Sequence, residues 1–74
     1  MNHVAQTNEI DVAVGARLYS HRTQRQLTQA RLAEVMDVAV ETIQSFEVGG
    51  TRLSAVALIT AAAVLGVVPS DLLP

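Results

Sequence analysis

The sequence predicts an all-α fold, a compact bundle of five helices, and three observations lead there. Half of the 74 residues are hydrophobic and only 3% are aromatic, a composition that suits close packing of Ala, Leu and Val. Apolar residues recur at three- and four-residue steps, as one face of a helix requires. Helix-starting residues (Asp11, Thr28, Ser54) and helix-stopping ones (Asp37, Gly49-Gly50, Gly66) are spread along the chain and cut it into short segments.

Met1 to Ile10 is polar and lacks a period, so it is expected to form a flexible arm, leaving residues 11–74 as one domain. Asp11 is placed to cap a first helix over Val12–Gln26, in which Val14, Leu18 and Arg22 share a face. Leu27 ends that helix and Thr28 caps a second, Gln29–Met36, with Leu32, Ala33 and Met36 turned inward. Asp37 falls in a turn that needs positive φ, where Asp and Asn are the tolerated substitutes for glycine. Val38 plugs the angle before a third helix, Val40–Val48, with Ile43 and Phe46 inward. Ala39 offers no capping oxygen there, which leaves that role to Asp37. Gly49-Gly50 stops the third helix. Ser54 caps a fourth, Ala55–Leu65, ended by Gly66, and Pro69 opens a last short turn through Asp71-Leu72-Leu73. The fourth helix, AVALITAAAVL, is apolar on more than one face; its excess reads as core burial or, with Leu72 and Leu73, as a dimer seam, and a dimer is the favoured state.

Composition narrows the function. There is no cysteine, so no disulfide framework or thiolate metal site is available, and a core this small must rely on aliphatic packing. His3 and His21 are too far apart to suggest a metal site, and no cofactor is expected. No Ser/His/Asp set or carboxylate pair suggests a catalytic pocket, so the chain reads as a non-enzyme. The apolar run from Leu53 to Val68 is broken by Ser54, Thr60 and Gly66 and is short for a membrane span. The first ten residues have no basic or apolar region of a signal peptide, so the cytoplasm is the expected compartment. With no room for an effector domain, a small-molecule switch is not expected. Net charge is −2, mildly against nucleic acid, but Val12 to Leu32 holds Arg17, Arg22, Arg25 and Arg31 and no acid.

The stretch Leu27–Gly49, LTQARLAEVMDVAVETIQSFEVG, has two short helices about a tight break, the pattern of a helix-turn-helix whose second helix enters the DNA major groove. The ordered motifs VGARL, Arg22, LTQxxLAE, TIxxFExG and VLGVxPSDLL extend this. Together they make residues from about Asp11 to Leu73 resemble the phage-repressor and Cro-type (Xre) family of bacterial transcription regulators. The segment FEVGGTRLSA resembles one bacterial subgroup of it. The resemblance implies a lambda-repressor-like domain that binds double-stranded DNA, as a repressor or an activator. It also implies roles. Gln29 would bond a phosphate at the start of the second helix. Val40, Glu41, Gln44 and Ser45 would face the groove, and Thr51 and Arg52 would clamp the next phosphates. Arg22 and Glu47 would form a partly buried ion pair. A homodimer would place two reading helices about one helical turn, roughly 34 Å, apart on a pseudo-palindrome.

The chemistry of the third helix fits base reading in part. A glutamine amide at Gln44 can pair bidentately with adenine, and Glu41 can accept from cytosine N4. Val40 suits a thymine methyl; Thr42 and Ser45 can bond phosphate or base. No Arg or Lys lies between Glu34 and Gly50, so the common arginine–guanine contact is missing. Ala39, Val48 and the Val40-Glu41 pair depart from the family pattern. They keep a second reading open: a protein-interaction module, antitoxin-like or anti-regulator, that kept the fold and binds a protein partner.

Overall fold

The computed structural model describes the backbone of residues 4–74 and the side chains of residues 9–74. Among the described residues four α-helices follow one another: α1 Val4–Gln24, α2 Gln29–Met36, α3 Val40–Val48 and α4 Ala55–Leu65. The fifth expected helix is a single 3₁₀ turn, Pro69–Leu72, and no strand occurs among the described residues. Four residues are too few for sustained α-helical bonding, whereas one 3₁₀ turn needs only i→i+3 bonds. Val68 N–H donates to Asp71 Oδ2 (3.2 Å) and closes that turn at its start.

Two boundaries of α1 differ from expectation. The helix runs unbroken from Val4, through most of the stretch expected to be an arm; Met1–His3 lie outside the described residues. Asp11 is therefore no N-cap. It sits buried within the helix and accepts an ion pair from Arg52 (3.1 Å). Local preference favours Asp at a helix start, but a tertiary partner offsets the cost of an interior site. The other end stops at Gln24 rather than Gln26, because Gln26 itself is left-handed at φ 58°.

All four helices end alike. A left-handed residue follows the last turn, its N–H bonds three residues back, and the next N–H bonds five back. The left-handed positions are Gln26, Asp37, Gly49 and Gly66. The five-back bonds run from Leu27 to Arg22, Val38 to Ala33, Gly50 to Ser45 and Val67 to Ala62, at 2.8–3.2 Å. This closure satisfies carbonyls that would otherwise be orphaned and turns the chain within two or three residues.

Starts are less uniform. Thr28 Oγ1 accepts from Arg31 N–H (3.0 Å) and Ser54 Oγ from Ala57 N–H (3.1 Å), as their sequence positions imply. The N-cap of α3 is Ala39, with no side-chain bond; Asp37, engaged as the left-handed residue ending α2, does not replace it. Ala39 already has cap-like dihedrals, φ −69° and ψ 149°. Ala39→Ser is therefore expected to stabilise the protein by about 1 kcal/mol, read as a higher urea midpoint with unchanged slope; an unchanged midpoint would count against this account of the α3 start.

The core lies where all the elements meet. Leu18 of α1, Leu32 of α2, Ile43 of α3, Leu65 of α4 and Leu72 of the 3₁₀ turn are its fully buried centre. Because Leu72 is in that centre, it cannot belong to an external dimer seam; Leu73 remains partly exposed. Gly15 sets the distance between α1 and α3. A Cβ at that position would lie 2.1 Å from the Phe46 carbonyl oxygen and 2.8 Å from that of Glu47. Only a residue without Cβ lets the helix backbone come this near.

Candidate nucleic-acid interface

α2, the Asp37 turn and α3 form the unit expected from the sequence, with α3 divided lengthwise by its own periodicity. Ile43 and Phe46 are buried, and Val40, Thr42 and Ser45 are half-buried. Glu41, Gln44 and Val48, at steps of three and four, stand exposed in one stripe. Glu41 and Gln44 thus present their full polar ends, while Val40 also packs against the core. Glu41 has a local effect too. It is the acid in the first turn of an uncapped helix, where negative charge opposes the helix dipole.

Behind this stripe Glu47 organises three elements. Its side chain is only 4% exposed, and that of Arg22 9%. Arg22 Nε donates to Glu47 Oε2 (2.6 Å) and Nη2 to Oε1 (3.0 Å), a two-point bond between α1 and the end of α3. Arg22 Nη1 donates to the Leu27 carbonyl (2.7 Å), which ties in the loop before α2. Hydrogen bonding to Glu47 raises the Arg22 pKa above its ordinary value and outweighs the opposing effect of burial. The guanidinium also lies 5.3 Å over the Tyr19 ring.

Gln29 joins the same carboxylate. Its Nε2 donates to Glu47 Oε1 (2.8 Å), so the amide is directed inward by one hydrogen. An amide nitrogen has two, and the second remains for an acceptor outside. Gln29 is also the first residue of α2, where backbone N–H groups are unsatisfied by the helix. The arrangement can therefore direct one side-chain N–H and a helix terminus at the same anion.

Past α3, the hydroxyls of Ser45 and Thr51 are 2.6 Å apart, so each has one bond inside the protein. Arg52 is exposed, with its Nε on Asp11. The structure thus ties Gln29 to Glu47 and Thr51 to Ser45, both in the last turns of α3, and leaves Glu41 and Gln44 exposed on its open face. Thr42, Val40 and Ser45 are less accessible than their sequence positions suggested. The arginine-rich stretch makes a thinner patch than its composition implies. Arg22 is internal, and Arg31 pairs with Glu34 on the surface (2.8 Å). Arg17 and Arg25 are the exposed members without an ion pair among the described residues; Arg25 bonds the His21 carbonyl (3.3 Å).

Sequence reasoning missed Asp11 and the anchoring part of Tyr19 and the Leu27 carbonyl. A signal for Asp11 was present. The face of Val14, Leu18 and Arg22, continued back by three residues, reaches it, and all four are buried. No group of potential metal-ligating side chains occurs among the described residues, and none of their helices is long and apolar enough to cross a membrane.

Comparison with known proteins finds the same fold. The family model described as helix-turn-helix matches residues 18–73. No curated protein sequence matches. Among solved structures, the chain is similar to the clp gene regulator ClgR from Corynebacterium glutamicum, at 29% identity and a TM-score of 0.81 over 84% of this chain and 66% of that one. It is similar to the restriction-modification controller protein C.AhdI from Aeromonas hydrophila, at 29% identity and a TM-score of 0.80 over 84% of this chain and 94% of that one. It also resembles part of hydroxypropylphosphonic acid epoxidase from S. wedmorenis, at 27% identity and a TM-score of 0.82, covering 88% of this chain but 35% of that one. The chain spans just under two thirds of ClgR and about a third of the epoxidase.

Proposed function

Since the chain belongs to the helix-turn-helix family, of the phage-repressor type, we propose that it is a transcription regulator that binds double-stranded DNA in a sequence-specific way. α3 enters the major groove, and two copies read a pseudo-palindromic operator. The observation that carries this reading is the division of α3: Glu41 and Gln44 stand free on one side while Glu47, on the other, is fixed to Arg22 and Gln29. Gln44 pairs with adenine, Glu41 accepts from cytosine N4, and Val40 meets a thymine methyl. Thr42 and Ser45 add hydroxyl contacts. Gln29, Thr51 and Arg52 grip the phosphates on either side. Val56 and Ile59, exposed on α4, with Val68 beyond it, supply the apolar seam of the dimer. The cytoplasm, where the DNA is, is the compartment this function requires.

Selection from a random duplex pool at low salt tests the proposal, the expected product being half-sites about ten base pairs apart. On that operator, Gln44→Ala is expected to lose about 1–3 kcal/mol of binding and to relax preference at one base position. Arg52→Ala is expected to weaken all sequences alike and to flatten the salt dependence by about 0.9 in log K per log salt. Unchanged binding in both variants would mean that the face is wrongly assigned.

A second reading, a protein-interaction module, has one observation in its favour: Val48 is 73% exposed at the end of a helix without a cation. No enrichment from the pool, no retention on heparin, and recovery of one stoichiometric protein partner would support it.

A further inference from the structure

The interface holds two arginines bound to buried acids, and they are bound differently. Arg22 uses Nε, Nη1 and Nη2 on internal acceptors. Arg52 donates only through Nε, to Asp11 Oδ1 at 3.1 Å, and neither of its η nitrogens has a partner among the described residues. The Arg52 side chain is 60% exposed; that of Asp11 is 8%. The acid lies within a helix and reaches its partner across 41 residues of sequence.

From this asymmetry we infer that Asp11 is a positioning residue for DNA binding. It holds Arg52 by Nε and leaves the η nitrogens open for a phosphate. The inference rests on the reading of Arg52 as a phosphate contact. A guanidinium has five N–H donors in a fixed fork; with one directed at Asp11, four remain, enough for a two-point bond to phosphate oxygens. An arginine confined before DNA arrives gives up less rotamer freedom on binding than one that is loose. The charge of Asp11 acts the other way, since a carboxylate near the duplex repels it. Geometry and charge can be separated by substitution. Asparagine keeps a carbonyl acceptor for Nε and removes the charge, whereas alanine removes both.

The experiment measures binding of the full chain to a mixed-sequence DNA duplex at low salt, because phosphate contact does not depend on sequence. Asp11→Asn, Asp11→Ala, Arg52→Ala and the Asp11/Arg52 double variants are compared below the lowest of their melting temperatures, so that only folded protein is titrated. Asp11→Asn is expected to bind at least as tightly as the parent. Asp11→Ala is expected to bind about fivefold more weakly than Asp11→Asn, within the range set by ordering one long side chain. That gap should vanish when Arg52 is also alanine. A merely structural role for Asp11 would leave the gap in place in the Arg52→Ala background and so overturn the inference. Equal binding by Asp11→Asn and Asp11→Ala, with Arg52→Ala still impaired, would overturn it while sparing the phosphate reading. Wild-type binding by Arg52→Ala would remove both.

Discussion

Arg22→Ala is expected to leave about half of the protein unfolded at room temperature. The substitution strands Glu47, whose carboxylate is almost wholly buried at the meeting point of α1, α2 and α3. Breaking a buried pair by removing one partner costs about 3–5 kcal/mol. A core of this size supplies about the same amount. The Gln29 amide would still donate to Glu47, but one neutral donor does not replace a two-point charged bond. The loss should appear in urea titration followed by far-ultraviolet circular dichroism, as a transition shifted to low denaturant or completed before any is added. The paired change Arg22→Met with Glu47→Leu removes both charges and keeps apolar volume, so it should recover most of the stability. Arg22→Ala unfolding at the wild-type midpoint would mean that the pair contributes geometry alone.

Gly15→Ala is expected to destabilise the protein, against the usual direction of such a change. In an ordinary helix interior, alanine is favoured over glycine by about 1 kcal/mol. Here the new methyl would sit 2.1 Å from a backbone oxygen of α3, so α1 must move. The Phe46 carbonyl it would meet already accepts from Gly49 N–H (3.2 Å), which limits how far α3 can yield. Overpacking of this kind costs about 1–3 kcal/mol and more where only backbone can shift. A net loss of about 2 kcal/mol is expected after the gain in propensity. Nitrogen–proton spectra should show the largest shifts at Phe46 to Gly50. A Gly15→Ala protein as stable as the parent would show that the helices can part here at no cost.

The caps were largely readable because they depend on near neighbours. Thr28 and Ser54 each bond an N–H three residues on, and Asp37, Gly49 and Gly66 each occupy the left-handed position their type suits. Gln26 was not readable, since nothing about glutamine marks it for positive φ; the close of α1 imposes that conformation. Asp11 was misread for the opposite reason. Its type signals a helix start so strongly that local reasoning stops there, while the residue that settles its environment, Arg52, is distant in sequence. The Arg22–Glu47 pair came from family resemblance, because periodicity alone puts an arginine on the inner face of α1 without saying what receives it. The arginine cluster was overcounted, since composition cannot distinguish a guanidinium facing solvent from one enclosed by the fold.

The close seat of α3 on α1 has a consequence for anyone who wants to move the proposed base-reading face into another scaffold. The two-helix unit is not a portable cassette. Its second helix is held by Gly15, Leu18 and Arg22 of α1, none of which belongs to the unit, so a graft of residues 28–49 would arrive without its mould. The outward stripe of Glu41, Gln44 and Val48 bears little of that load. Under the proposed reading it is the part to transplant, or to randomise in place, when a new target sequence is wanted.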